Sequence, residues 1–109
     1  MKFTLKIPVG INHLYKQGKH GWYKDSKAVD WQNETLWTLK SYKEKVSGEA
    51  IYITWFRKDK RKWDIDSGIK LLLDTIVKAK IIKDDNQITF LQVEKQKTHK
   101  ENYCEVEII

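Results

Sequence analysis

The run Asp64-Ile65-Asp66-Ser67-Gly68-Ile69-Lys70, followed by Asp84-Asp85, gathers carboxylates around a lysine in a chain that is otherwise basic. Residues 1–63 hold 14 Lys and Arg against six Asp and Glu, a balance of +8; residues 64–109 hold seven against nine, a balance of −2. Neighbouring carboxylates repel, each close pair by about 1–4 kcal/mol at effective dielectrics of roughly 80 to 20. Such a cluster stays ionised only beside a cation, and oxygen-only donors select Mg2+, Mn2+ or Ca2+ over zinc. Acids gathered in one place and cations elsewhere suit a protein that holds a divalent metal against a polyanion.

Asp64 and Asp66 project to one face if residues 63–66 are extended, because side chains at i and i+2 share a face of a strand. Asp66 also stands where a helix begins, so backbone N–H groups can hold one of its oxygens. Lys70 lies one turn further along the same side. Asp74 is expected to pair with Lys70 or Lys78 on the helix surface. The plain competing reading is that Asp66 caps the helix and Asp64 pairs with the basic turn before it. A calcium EF-hand fails on spacing: counting from Asp64, position 6 is Ile69 rather than glycine and position 12 is Thr75 rather than glutamate.

The elements that must position these residues follow from periodicity. Lys2 to Val9 alternates apolar and polar and ends its ladder at Pro8, so it reads as a strand. Residues 10–24 hold no period and read as a basic, aromatic loop. A helix capped by Asp25 or Ser26 is expected to run to about Val46, with Gly48 ending it and Ala28, Trp31, Thr35, Leu39 and Tyr42 as its buried stripe. Ala50 to Phe56 reads as a central strand. The solvated basic turn Arg57-Lys58-Asp59-Lys60-Arg61-Lys62 follows. A second helix starts near Asp66 or Ser67, with Ile69, Leu72, Leu73, Ile76 and Val77 on its inner face. Gln87 to Lys95 and Tyr103 to Ile109 alternate and read as an antiparallel hairpin. The order β-α-β-α-β-β predicts a small α+β domain over residues 1–109, with helices packed on a mixed β-sheet.

With 109 residues, 40% apolar and 33% charged, the chain is long enough for one core. No apolar run reaches eighteen residues, so no transmembrane helix is expected. The lone Cys104 cannot form an internal disulfide, which fits a reducing compartment; cytoplasm is the expected location. A pI near 9.3 points to an acidic partner such as nucleic acid. His13, His20 and His99 lack metal-ligand spacing.

The pattern Asp64-x-Asp66-x-x-x-Lys70-x-x-x-Asp74, then Asp84-Asp85 and an alternating strand carrying Lys95, resembles the RusA-type Holliday-junction resolvases. The N-terminal half is similar too: a first strand ending in Pro8, then Asn12, Tyr15 and Lys16, a basic glycine-containing loop, and Tyr23 before a helix. The resemblance implies a Mg2+-dependent endonuclease (Mn2+ a possible substitute) that works as a homodimer and nicks four-way DNA junctions symmetrically, in recombination and repair. It implies Asp64, Asp66 and Asp85 as catalytic acids and metal ligands, with Lys70 as the catalytic lysine. The family usually carries asparagine where this chain has Ser67. Hydrolysis of a phosphodiester needs an activated water, in-line geometry and relief of charge on the leaving oxygen, which carboxylate-held metal supplies.

Expected DNA contacts are Asn12, Tyr15, Lys16, Lys19 and Lys24 in the N-terminal loop, Arg57, Lys58, Lys60, Arg61 and Lys62 in the basic turn, and Lys95, with Lys97 and Lys100 extending the track. Twofold symmetry of a four-way junction fits an isologous dimer; Trp31, Trp37, Ile81 and Ile82 are candidates for its surface. No membrane or small-molecule cofactor is expected. The alternatives are a branched-DNA-binding module that has lost catalysis, and a nuclease acting on flaps or forks.

Overall fold

The computed structural model describes residues 1–8, 15–18, 21–24, 26–42, 46–58, 64–98 and 101–109, with the backbone alone described at 15–18 and 21–24. Strand β1 (Lys2–Leu5), strands β2 (Tyr15–Gly18) and β3 (Gly21–Lys24), helix α1 (Ser26–Leu39), strand β4 (Ala50–Arg57), helix α2 (Ile69–Lys78) and strands β5 (Phe90–Lys97) and β6 (Tyr103–Ile108) follow in chain order. A short 3₁₀ turn at Asp85–Gln87 leads into β5. The expected α+β layer of two helices on a mixed sheet is present.

Four strands form the main sheet in the order β1-β6-β4-β5. β1 and β6 are antiparallel, as are β6 and β4, whereas β4 and β5 run parallel with Ala50 opposite Phe90 and Arg57 opposite Lys97. Ile51, Ile53 and Trp55 of β4 are fully buried with Cys104, Val106 and Ile108 of β6, and Phe3 and Leu5 of β1 are nearly so. Leu39, Leu71, Leu72, Ile76, Ile81 and Ile82 close the core from the helical side.

Four sequence expectations need correction. β5 and β6 do not form a hairpin, because β4 lies between them. β4 is the most apolar strand, and pairing on both its edges buries it; β5, exposed at nearly every position, takes the sheet edge. α1 stops at Leu39 instead of about Val46, closed by three-residue turn bonds from Lys40 N to Trp37 O (3.3 Å) and Tyr42 N to Leu39 O (2.9 Å). Gly48 therefore does not end that helix. It lets the chain pass the C-terminus, where a Cβ would sit 2.6 Å from the backbone of Ile109. The expected loop of residues 10–24 contains the β2–β3 hairpin, with Tyr15 opposite Lys24 and Lys16 opposite Tyr23. Of the four candidate dimer residues, Trp31, Ile81 and Ile82 are core, while Trp37 is 75% exposed.

Candidate active site

β4 must cross over to reach its parallel neighbour β5, and the candidate residues lie along that crossover. The chain leaves β4 at Arg57 and passes the turn 64–68 before α2. It returns through Asp84 and Asp85 to enter β5 beside the start of β4. Asp64 and Asp66 thus precede α2, Lys70 lies in its first turn, and Asp85 follows it.

Residues 64–68 are turns and not an extended segment: Ser67 N donates to Asp64 O (3.0 Å) and Ile69 N to Asp66 O (3.3 Å). The strand-like alignment expected of Asp64 and Asp66 is therefore absent. Asp66 is also not the helix cap. That place falls to Gly68, at φ +87°, with no side-chain capping bond. Two contacts fix this turn. The indole of buried Trp55 donates from Nε1 to Ile65 O at 2.8 Å. Pro8 packs so closely on Gly68 that a Cβ there would meet its Cγ at 2.7 Å. The side chains of Asp64 and Asp66 are exposed, and among the described residues they make no hydrogen bond or ion pair.

Lys70 Nζ lies 3.7 Å from Asp74 Oδ2, the pairing expected for Asp74. Asp84 accepts from Asn86 N at 3.1 Å, and that bond, with a hydrogen bond from Asp85, holds its carboxyl below the usual carboxylate range. Asp85 moves the other way. Its pKa is raised first by the hydrogen bond shared with Asp84, then by partial desolvation and the charges of Asp84 and Asp74, with Lys70 opposing. Lys70, Asp74, Asp84 and Asp85 thus share one electrostatic neighbourhood on the outer side of α2. Among the described residues no group of three or more His, Cys, Asp or Glu side chains is gathered to hold one metal ion. The donor chemistry fits a hard divalent cation; the arrangement is not a finished three-carboxylate cage.

The basic track is partly in place. Register sets Lys95 beside Trp55 and Lys97 beside Arg57, so cations of β5 continue the end of β4 from which the acidic turn departs. Thr98 N donates to Arg57 O (3.2 Å), and Lys58 N donates to Asn102 Oδ1 (2.7 Å), joining this end to the start of β6. Tyr15, Lys16 and Lys24 lie on the β2–β3 hairpin. Asn12, Lys19, Lys60, Arg61, Lys62, Lys100, Asp25 and all three histidines lie outside the described residues.

Trp55, Pro8, Gly68 and Asn102 hold the turns around these residues, a role that the motif alone assigns to none of them. Trp55 carried a signal: a tryptophan in an aliphatic stripe still has an N–H that needs an acceptor. Asn102 carried none, because its partner is 44 positions away.

Residues 8–109 match the family described as Endodeoxyribonuclease RusA, and this span holds every candidate catalytic residue. This chain belongs to the RusA family. It is similar to the Crossover junction endodeoxyribonuclease RusA of Aquifex aeolicus (strain VF5), at 34% identity over 87% of this chain and 82% of the relative.

Proposed function

We propose that this chain is a divalent-metal-dependent endodeoxyribonuclease that resolves four-way DNA junctions by paired nicks, acting as a homodimer in recombination and repair. The observation that carries the reading is the family match across residues 8–109, which spans the whole acid–lysine motif. The name of its Aquifex relative supports crossover junctions as the substrate. Asp64, Asp66 and Asp85 are the acids assigned to catalysis and to metal, and Lys70 is the assigned catalytic lysine. Mg2+ is the expected ion and Mn2+ its substitute, since all assigned donors are oxygens.

Once bound, such an ion supplies an activated water and charge relief at the leaving oxygen. Lys70, exposed in the first turn of α2, can neutralise charge on a phosphate brought to this end of the molecule. Arg57, Lys58, Lys95 and Lys97 line the end of β4 and β5 where the DNA backbone would approach. No helix among the described residues is long and apolar enough to cross a membrane, and a cytoplasmic location is part of this proposal.

The deciding assay offers a mobile four-way junction, a linear duplex and a flap, each with Mg2+, Mn2+ or chelator. Paired nicks on the junction alone, lost with chelator, are the expected outcome. Cleavage of the flap in preference to the junction overturns the substrate assignment. The spread of the carboxylates favours one competing reading, a junction-binding module that has lost catalysis; binding without cutting in either metal would establish it.

A further inference from the structure

Strand β5 (Phe90–Lys97) ends the main sheet, and β4 is its one neighbour among the described residues. Two bonds show which way its backbone is turned: Phe90 N donates to Glu49 O (3.2 Å) and Thr98 N to Arg57 O (3.2 Å). A parallel ladder engages alternate residues of a strand, so the backbone groups of Leu91 and Val93 point away from β4, toward the sheet edge. The side chains are uncovered as well. Phe90 is 50% and Leu91 45% exposed, although Leu91 lies on the helix side beside buried Ile51. A long open edge is a template for another strand unless it is kept short or blunted by charge or proline. The opposite edge, β1, is only four residues long, with exposed Lys2 at its start and Pro8 soon after its end. β5 runs for eight, and its first half is free of charge.

A row of N–H and C=O groups calls for a strand; phosphate oxygens accept hydrogen bonds but give none to the carbonyls. The sequence of β5 suits a second copy of itself running antiparallel. Outward-facing residues must then oppose one another in hydrogen-bonded pairs. Centring the pair on Glu94 sets two carboxylates directly opposite, and centring it on Lys95 sets two ammonium groups opposite, both destabilising. Centring it on Val93 opposes Val93 to the partner's Val93 and Gln92 to the partner's Glu94. Leu91 then faces the partner's Lys95, and Phe90 the partner's Gln96. No like charges meet, and registers centred nearer the N-terminus leave more of β5 unpaired. Gln92 and Gln96 already turn their amides to Glu94 within one copy, which shows that these three share a face.

We propose that β5 pairs antiparallel with β5 of a second copy, centred on Val93, so that two four-stranded sheets become one of eight strands. This names the surface of the homodimer proposed above and rests on that reading. The twofold axis of such a pair stands normal to the sheet. Both copies therefore turn α2, with Lys70, to the same side, where one junction can meet both sites.

Cysteines read the register. Gln92 and the partner's Glu94 form a non-hydrogen-bonded pair, about 4.5 Å apart at Cα, which a disulfide can span. Gln92→Cys with Glu94→Cys in one chain should run mostly as a covalent dimer on a non-reducing gel after mild oxidation. Either substitution alone should leave the chain mostly uncross-linked, since Cys104 is buried. Val93→Pro removes an outward N–H and none of those given to β4, as edge strands tolerate. Its light-scattering mass should fall from twice the chain mass to once, with the circular dichroism of the parent; the cysteine pair decides alone if that variant does not fold. No cross-link from the pair, or an equal one from a single substitution, overturns the inference, as does a folded Val93→Pro that remains a dimer. Those results in a parent that scatters as a dimer and cuts junctions leave the nuclease reading standing. Cross-linking by the pair in a chain that cuts no DNA overturns the nuclease reading and leaves the interface standing. A monomeric parent overturns both.

Discussion

Asp64 and Asp66 stand in solvent with no partner among the described residues, so their value to the fold is small and their value to chemistry is testable in isolation. Asp64→Asn, Asp66→Asn and Asp85→Asn are each expected to abolish junction cleavage in a gel assay. Each should leave junction binding intact or tighter, since a negative charge beside DNA is removed. Cleavage by Asp64→Asn at the parent rate would disprove the site assignment. Lys70→Ala should lower kcat by about 10²–10³-fold, the usual loss on removing one charge-stabilising donor. Its ion pair with Asp74 is exposed, so the stability change should stay within about 1 kcal/mol in a denaturant titration. Cys104 behaves oppositely: burial pushes its thiol pKa up to about 12. The reactive thiolate appears only as pH rises toward that value, leaving roughly one part in 10⁴ at pH 8. Native protein should therefore resist a thiol-labelling reagent that reacts promptly once the chain is unfolded.

At the scale of elements, the turn that presents the acids is held by its neighbours more than by its own sequence. Gly68 adopts a left-handed conformation and lies against Pro8, so both backbone and space argue against a side chain. Gly68→Ala is expected to cost about 1–2 kcal/mol from the backbone alone, with a further loss from the Pro8 clash. Thermal unfolding should report the drop, and cleavage should fall further because the head of α2 moves with Asp66. Trp55→Phe keeps most of the buried aromatic volume but leaves Ile65 O without its donor, a loss of about 1–3 kcal/mol. α1 and α2 are joined in the core by Gln32 Nε2 donating to Thr75 Oγ1 (3.1 Å), which in turn donates to Leu71 O (2.7 Å). That link ties α2, and with it Lys70, to α1.

For the whole molecule, two opposed nicks in a junction of near-twofold symmetry call for two equal sites. Light scattering at working concentration should give twice the chain mass, and a monomer under those conditions would contradict the resolvase reading. Mixing wild-type protein with excess Asp64→Asn should then give dimers with one working site. Those dimers are expected to release singly nicked junctions in place of paired products. The +6 net charge also predicts a steep loss of junction affinity as salt rises.

Local pattern is enough to name the family and most of the elements. The Asp64–Lys70 spacing, the apolar stripe of α2 and the β-branched run of β4 are properties of neighbouring residues, so they survive in one dimension. The end of α1, the β2–β3 hairpin and the separation of β5 from β6 by β4 were misread, because each is settled by which distant segment buries which surface. The same holds for the site. The types of its acids were plain in the sequence, but the turn that carries two of them is shaped by Trp55, Pro8 and Gly68. Residue chemistry is local and legible; hydrogen-bond partners across the core and the space left between packed elements exist only once the chain has closed on itself.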